Sequence, residues 1–280
     1  QPLSILPQVF FESFCNLEKM DNYGIPSSKS NANTVIFLVY FFLFILVLLY
    51  FIVARKSRAW MEFTGKRVLL ITAHPDDECM FFGPVIYHAC KESSSFSLLC
   101  LTKGDYNGEG SQRKQELLKS CRILGIQNVT VLDNDMIYDD PSVMWNDGLV
   151  SDLLHKHIRT NKINSVITFD NYGVSGHNNH ISIYRGLKRL IDQRSLPHAV
   201  SVYTLDSVTL LRKYIFVLDF IWSFLTRRLI FISCLSHVSK CQQAMASHRS
   251  QYVWFRKLYV IFSRYMIINT FTQIWGYNRK

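Results

Sequence analysis

The stretch Arg67-Val68-Leu69-Leu70-Ile71-Thr72-Ala73-His74-Pro75-Asp76-Asp77-Glu78 decides how this chain is read. Its first half is a short apolar run of the kind that forms a buried strand. Its second half packs one imidazole and three carboxylates around a proline. Working outward, strand-like runs recur at 96–102, 128–133, 163–169 and 199–205, after the first at 67–72. Helix-like segments fall between them at 78–92, 111–124, 146–160 and 178–194, where Glu116, Leu117, Leu118, Cys121 and Leu124 follow the 3.6 period. Repeated β-then-α units predict an α/β fold: a Rossmann-like three-layer sandwich with a mainly parallel sheet.

In such sheets ligands bind beyond the carboxyl ends of the strands. The polar segments fall there. His74 to Glu78 follow the first strand, and Thr102 to Gly108 follow the second. Phe169 to Gly173 follow the fourth and lead into a second knot, Gly176-His177-Asn178-Asn179-His180. A catalytic zinc needs three protein ligands and an open position for water. His74 and Asp77 at a strand-to-helix turn, with His180 from the later loop, supply that set. Asp76 is left over as a carboxylate that takes a proton from the attacking water. His177 is expected opposite it, as an imidazolium that stabilises the oxyanion and protonates the leaving amine. Blander roles stay open at this point: Asp76 or Asp77 capping the following helix, or the histidines serving as structural hydrogen-bonding groups. Glu78 is assigned to the first turn, where the helix dipole favours a carboxylate. His88, His155, His157, His198, His237 and His248 default to surface or structural roles. A set of two imidazoles and one carboxylate also suits iron, manganese or cobalt.

Composition sets the surroundings. The chain has 280 residues, 49% hydrophobic, with a net charge of +10 and a mean hydropathy of +0.08. The apolar excess is concentrated in residues 34–53, which carry no charge. Twenty helical residues span about 30 Å, the hydrocarbon thickness of a bilayer, so an N-terminal transmembrane helix is expected. Arg55, Lys56 and Arg58 follow the span, against Lys29 close before it, and place the C-terminal bulk in the cytosol. The seven cysteines are scattered without a paired motif and read as reduced thiols. The basic charge has no nucleic-acid motif beside it and is interleaved with aromatics near the C-terminus, an arrangement suited to an anionic membrane surface. Residues 213–235 carry Asp219, Arg227 and Arg228. Each would cost about 2.5–3.5 kcal/mol at a bilayer midplane, so that segment and 252–268 are read as interfacial or packing elements. The expected organisation is a short luminal segment 1–33, a span 34–53, a basic linker 54–66, a catalytic core 67–210 and a membrane-associated or packing region 211–280.

Several longer motifs carry a resemblance. They are Asp76-Asp77-Glu78-Cys79-Met80-Phe81-Phe82, Arg113-Lys114-x-Glu116-Leu-Leu, Thr168-Phe169-Asp170-x-x-Gly173-Val174-Ser175-Gly176-His177, His248-Arg249-Ser250-Gln251 and Trp254-Phe255-Arg256. Together with the two knots, they resemble the LmbE-like family of zinc-dependent N-acetylglucosamine deacetylases. The likeness is closer to its membrane-bound branch, which acts on N-acetylglucosaminyl-phosphatidylinositol (GlcNAc-phosphatidylinositol). The resemblance implies hydrolysis of the acetamide at the endoplasmic reticulum membrane, the second step of glycosylphosphatidylinositol-anchor biosynthesis, with the catalytic domain facing the cytosol. It implies metal ligands at His74, Asp77 and His180, a general base at Asp76 and a second catalytic group at His177. It also implies a substrate contact at Arg113, whose plainer reading is an exposed helix cation. Many bacterial members have Pro-Asp where this chain has Asn178-Asn179. With no charged orienter there, Asp170 is expected to replace it within the substrate pocket. The alternatives are the same chemistry on another N-acyl amino sugar, and a non-catalytic membrane scaffold that kept the fold.

Overall fold

The computed structural model describes residues 28–56, 62–214, 216–227 and 229–276. The expected luminal segment up to residue 27, residues 57–61 of the basic linker with Arg58, and Arg228 lie outside the described residues. The chain divides into two units at Ile52. In the first, helix α1 (Ser28–Lys56) contains a window, Asn33–Tyr50, that is long and apolar enough to cross a membrane. Side chains from Val35 to Leu49 are largely exposed, which an apolar helix in water would not tolerate.

The second unit is built on one seven-stranded sheet. Strand β1 (Arg67–Thr72) is followed by helices α2 (Asp77–Phe81) and α3 (Gly83–Glu92), then by β2 (Ser95–Cys100) and α4 (Gly110–Leu124). Next come β3 (Asn128–Val131), α5 (Asp147–Thr160), β4 (Ser165–Phe169), the short turn α6 (Gly173–Gly176) and α7 (Asn178–Asp192). Strand β5 (Ser201–Leu205) closes the β/α alternation. The chain continues through α8 (Leu210–Tyr214), α9 (Phe216–Thr226), β6 (Leu229–Ile232), α10 (Leu235–Ser247), α11 (Trp254–Phe262) and β7 (Ile268–Trp275). The sheet order is β3-β2-β1-β4-β5-β7-β6. β1 to β5 pair in parallel, whereas β7 joins β5 and β6 antiparallel.

The first five strands lie where the apolar runs put them. Val68 to Ile71 and all of β4 are buried, because helices cover both faces of a parallel sheet. The helix expected at 78–92 breaks at Phe82 into α2 and α3. Gly83 starts the second piece against α10, where a Cβ would come within 2.6 Å of Cys241 Sγ. In the C-terminal region, β6 and β7 extend the same sheet beyond β5, two strands that the sequence reading does not include. Asp219, read earlier as a charge at odds with lipid, is buried and paired with the fully buried Arg264 at 2.7 Å. Buried charges persist when paired in this way.

Candidate active site

Strand order reverses between β1 and β4, which pair directly and send their connections to opposite sides. Ligands in open α/β sheets bind at such a switch point. The turn after β1 and the loop after β4 meet there, and they carry the two polar knots.

The first turn is tightened by its own side chain. Asp77 Oδ2 accepts hydrogen bonds from the backbone N–H of Ala73 (3.0 Å) and His74 (2.9 Å). Its other oxygen, Oδ1, lies 3.2 Å from His180 Nε2. Burial alone would raise the Asp77 pKa. The charges of His180 and His74, with these hydrogen bonds, outweigh burial and hold it well below the usual carboxylate range. His180 sits on the inward face of α7 with Ile183 and Leu187 and stacks on Phe169 at 3.9 Å. Its Nδ1–H donates to Gly173 O at 3.0 Å, which leaves Nε2 as the free lone pair. Gly173 has φ +62, and a Cβ there would meet His180 Cβ at 2.7 Å, so only glycine lets this carbonyl approach.

Asn179 fixes the tautomer of His74. Its Nδ2 donates to Asp140 O (3.1 Å) and Val143 O (3.0 Å), so its Oδ1 must face His74 Nε2 at 2.9 Å as acceptor. His74 Nε2 therefore carries the proton, and Nδ1 is open towards Asp77. The Asn that departs from the bacterial pattern is thus an orienter, but of His74 and not of His177. Asp139 Oδ1 backs the same nitrogen at 3.1 Å, the carboxylate–histidine arrangement that typically supports a metal ligand. Asp139 was not singled out in the sequence. Its one local signal is a carboxylate pair, Asp139-Asp140, in the loop after β3, and sequence does not show which strand end that loop faces.

The ligand atoms of His74, Asp77 and His180 lie within 4.8 Å of one another. His180 Nε2 is buried without a hydrogen-bond partner. A lone pair aimed at a carboxylate is poorly satisfied unless a cation stands between them, so this donor set fits a divalent metal.

Asp76 borders this cluster. It is buried at φ +114, a strained conformation for a residue other than glycine. Its side chain makes no cap hydrogen bond, which removes the capping reading. Burial, reinforced by the charge of Asp77, raises its pKa against the opposing pull of Arg256 and Arg113. Arg256, from α11, lies 3.1 Å from Asp76 Oδ2 and is a further neighbour that strand-and-helix patterning did not place.

His177 is close, its ring centroid 4.8 Å from His74 and 4.7 Å from His180. It is not the imidazolium expected. Burial and the neighbouring His74 and His180 push its pKa down to about 4, and its Nδ1 accepts the Asn179 N–H at 3.3 Å. A neutral ring with Nε2–H as donor follows.

Two further residues have partners that the sequence does not show. Arg113 is buried and is not an exposed helix cation. It donates to Gly104 O, Pro75 O and Asp139 Oδ2, each at 3.0 Å, and so ties together the loops after β1, β2 and β3. Asp170 does not orient His177. Its Oδ1 accepts from the N–H groups of Tyr172 and Gly173 and from the Ser207 hydroxyl, and its Oδ2 from Ser207 N–H. Those bonds shape the turn that presents Gly173. An open cleft lined by Lys103, Tyr106, Asp133 and Tyr138 reaches the cluster at Asp139.

A second cluster adjoins the first. Glu78 Oε1 accepts from His248 Nε2–H at 2.8 Å and from Ser120 Oγ–H, and Oε2 accepts from Asp76 N–H at 3.1 Å. Burial opposes ionisation of Glu78, but the charge and hydrogen bond of His248 outweigh it and lower its pKa. With Cys79 this group also has metal-like spacing. Its carboxylate is already saturated, the Cys79 thiol donates to Asp76 O, and burial pushes that thiol well up. It reads as a closed ion pair, which places His248 in the core and gives Glu78 more than a helix-dipole role.

Residues 69–191 match the family of GlcNAc-PI de-N-acetylases, PIG-L. The chain is 44% identical over 219 residues to N-acetylglucosaminyl-phosphatidylinositol de-N-acetylase of Bos taurus, covering 77% of this chain and 87% of that one. The chain belongs to this family. A probable member from Dictyostelium discoideum is 35% identical over 244 residues, covering 75% of this chain and 93% of that protein. The fold is also that of N,N'-diacetylchitobiose deacetylase from Pyrococcus horikoshii, with a TM-score of 0.58 at 16% identity over 90% of this chain and 94% of that structure. Membership makes the chain a deacetylase of α/β fold, and the clustered His, Asp and His side chains suit a family of amide hydrolases.

Proposed function

We propose that this chain hydrolyses the N-acetyl group of GlcNAc-phosphatidylinositol, giving glucosaminyl-phosphatidylinositol and acetate, in the second step of glycosylphosphatidylinositol-anchor biosynthesis. The observation that carries this reading is His180 Nε2, buried without a hydrogen-bond partner and clustered with the ligand atoms of His74 and Asp77, beside the buried carboxylate of Asp76 that Arg256 pairs.

His74, Asp77 and His180 would hold the metal, which we take to be zinc. When bound, it lowers the pKa of a water and polarises the acetamide carbonyl. The remaining work belongs to the chain. Asp139 and Asn179 hold His74 in the tautomer that presents Nδ1. Asp76 takes a proton from the attacking water, and its raised proton affinity suits a base that then passes the proton to the leaving amine. His177, neutral, donates a hydrogen bond from Nε2 to the carbonyl oxygen as charge develops there. Arg113 keeps three strand-end loops in register, so its contribution to substrate binding is indirect.

The lipid tail of this substrate sets the location. Helix α1 would anchor the enzyme in the endoplasmic reticulum membrane, and the flanking Arg55 and Lys56 favour a cytosolic catalytic unit. The test is acetate release from GlcNAc-phosphatidylinositol in microsomes, with and without a chelator. Loss of turnover with chelator and its return with zinc is the expected result. Chelator-insensitive turnover overturns the metal, and absence of turnover in an intact preparation overturns the substrate.

A further inference from the structure

Helix α11 carries two opposed faces. At about 100° per residue, Trp254, Phe255, Leu258, Ile261 and Phe262 fall within one stripe about 120° wide. All five are exposed, from 47% for Leu258 to 72% for Trp254. Arg256 and Val260 lie on the other side of the helix. Val260 is buried, and Arg256 reaches inward to Asp76 at 3.1 Å. Tyr259, at the edge, bonds Met80 O and packs edge-on against Phe81 next to the metal-like cluster. A helix on the surface of a water-soluble domain turns its polar face outward. This one turns its apolar face outward and anchors itself inward through an arginine.

The composition of the outer stripe names its occupant. Large aromatics beside cations fit the headgroup boundary of a bilayer, where rings enter the acyl region and ammonium and guanidinium groups meet phosphate. Lys257 is exposed at the edge of the stripe, and the chain carries a net charge of +10. The short helix α8 packs on the turn Arg264–Met266 that follows α11, and it exposes Leu210, Leu211 and Tyr214. Large apolar side chains exposed together along one helix face mark an interaction surface.

We propose that α11 is a lipid-docking helix. Its Trp254–Phe262 stripe enters the surface of an anionic phospholipid bilayer while its opposite face closes the pocket around Asp76. The helix thereby holds the catalytic pocket at the level where a lipid-linked amino sugar protrudes. This deepens the proposed function and rests on its membrane-borne substrate.

The test uses the full chain in proteoliposomes of phosphatidylcholine and phosphatidylserine. A nitroxide is attached at position 258 in the Leu258→Cys variant. Relaxation enhancement by oxygen exceeding that by a water-soluble nickel chelate supports docking. The reverse pattern overturns it, and dipolar broadening between labels also overturns it, since the face would then meet a second copy. A second measurement compares Ile261→Glu with Phe262→Glu on two substrates: the lipid-embedded GlcNAc-phosphatidylinositol and its water-soluble deacylated headgroup. Docking predicts at least a tenfold rise in KM for the embedded lipid, with headgroup turnover unchanged. Equal loss on both substrates overturns docking. If neither substrate turns over in the wild type, the proposed function fails, and the nitroxide readout still decides the helix.

Discussion

Asp77 and Glu78 are neighbours in sequence and each meets buried histidine, yet the two clusters they build do opposite things. Around Asp77, one His180 nitrogen is left without a hydrogen-bond partner, and the turn, the loop after β4 and Asp139 bring the ligand atoms of His74, Asp77 and His180 together. Around Glu78, every carboxylate oxygen is occupied by His248, Ser120 or a backbone N–H. The difference teaches how to tell a reactive cluster from a structural one of the same residue types. In the first, the atoms without a hydrogen-bond partner, His180 Nε2 and Asp76 Oδ2, border the ligand set. In the second, both Glu78 oxygens are saturated, and the unpartnered atom is His248 Nδ1, the ring nitrogen that does not bond Glu78.

The largest expected effects separate the two clusters by kind. Asp76→Ala should lower kcat by about 10²–10⁴ while bound metal stays near wild type. His180→Ala should abolish both activity and bound metal, measured by elemental analysis of purified protein. If His180→Ala keeps a full complement of metal, the assignment of the ligands is wrong. Glu78→Ala should leave the metal ligands in place but strand His248 as an unpaired buried group. A loss of about 3–5 kcal/mol in unfolding free energy is expected from denaturant titration. Loss of metal without loss of stability would reverse the roles of the two clusters.

Much of this was legible beforehand, and the limits have physical causes. β1 to β5 were readable because strands buried on both faces are near-continuous apolar runs, and the ends of such runs locate the ligand edge. His74, Asp77 and His180 could be grouped because each follows one of those ends. β6 and β7 were not readable. β6 is only four residues, and β7, Ile-Asn-Thr-Phe-Thr-Gln-Ile-Trp, follows an amphipathic segment whose aromatics suggested a membrane instead. Arg113 and Asp170 were placed in the pocket as charges, but a charge's partners depend on which loops meet in space. Arg113 spans three strand ends, and Asp170 turns back on its own loop through Ser207. Asp139 and Arg256 were missed for the same reason, since neither stands beside a polar knot in sequence.

A smaller effect probes how the reactive cluster is held. Asp139→Asn keeps the shape beside His74 Nε2 but removes the charge. Supporting groups of this kind are typically worth about 10–100-fold in metal affinity or activity. Competition with a metal-chelating dye should show weaker binding in that range, with unfolding stability nearly unchanged. A variant indistinguishable from wild type would assign the orientation of His74 to Asn179 alone.

The smallest effect is a pH signature that only the closed pair should show. The Glu78 pKa is lowered from its ordinary 4.5, and the His248 pKa is raised from its ordinary 6.5. For both groups burial opposes the charged form, and their mutual attraction overcomes it. The lowered carboxylate stabilises the fold above about 4.5, and that contribution fades as pH falls through its folded value. The raised imidazole stabilises the fold fully below about 6.5, and its contribution fades as pH rises through its folded value. The two contributions therefore overlap most between about 4.5 and 6.5. The stability difference between wild type and Glu78→Gln should peak in that window and shrink on either side. Metal retention should run the other way across the same range, weakening towards acid because protons compete with the metal for its ligands. Thermal unfolding of both proteins from pH 4 to 8, with metal content measured at each point, gives the two curves. If they rise and fall together, the clusters are one coupled site, and the separation between Asp77 and Glu78 does not hold.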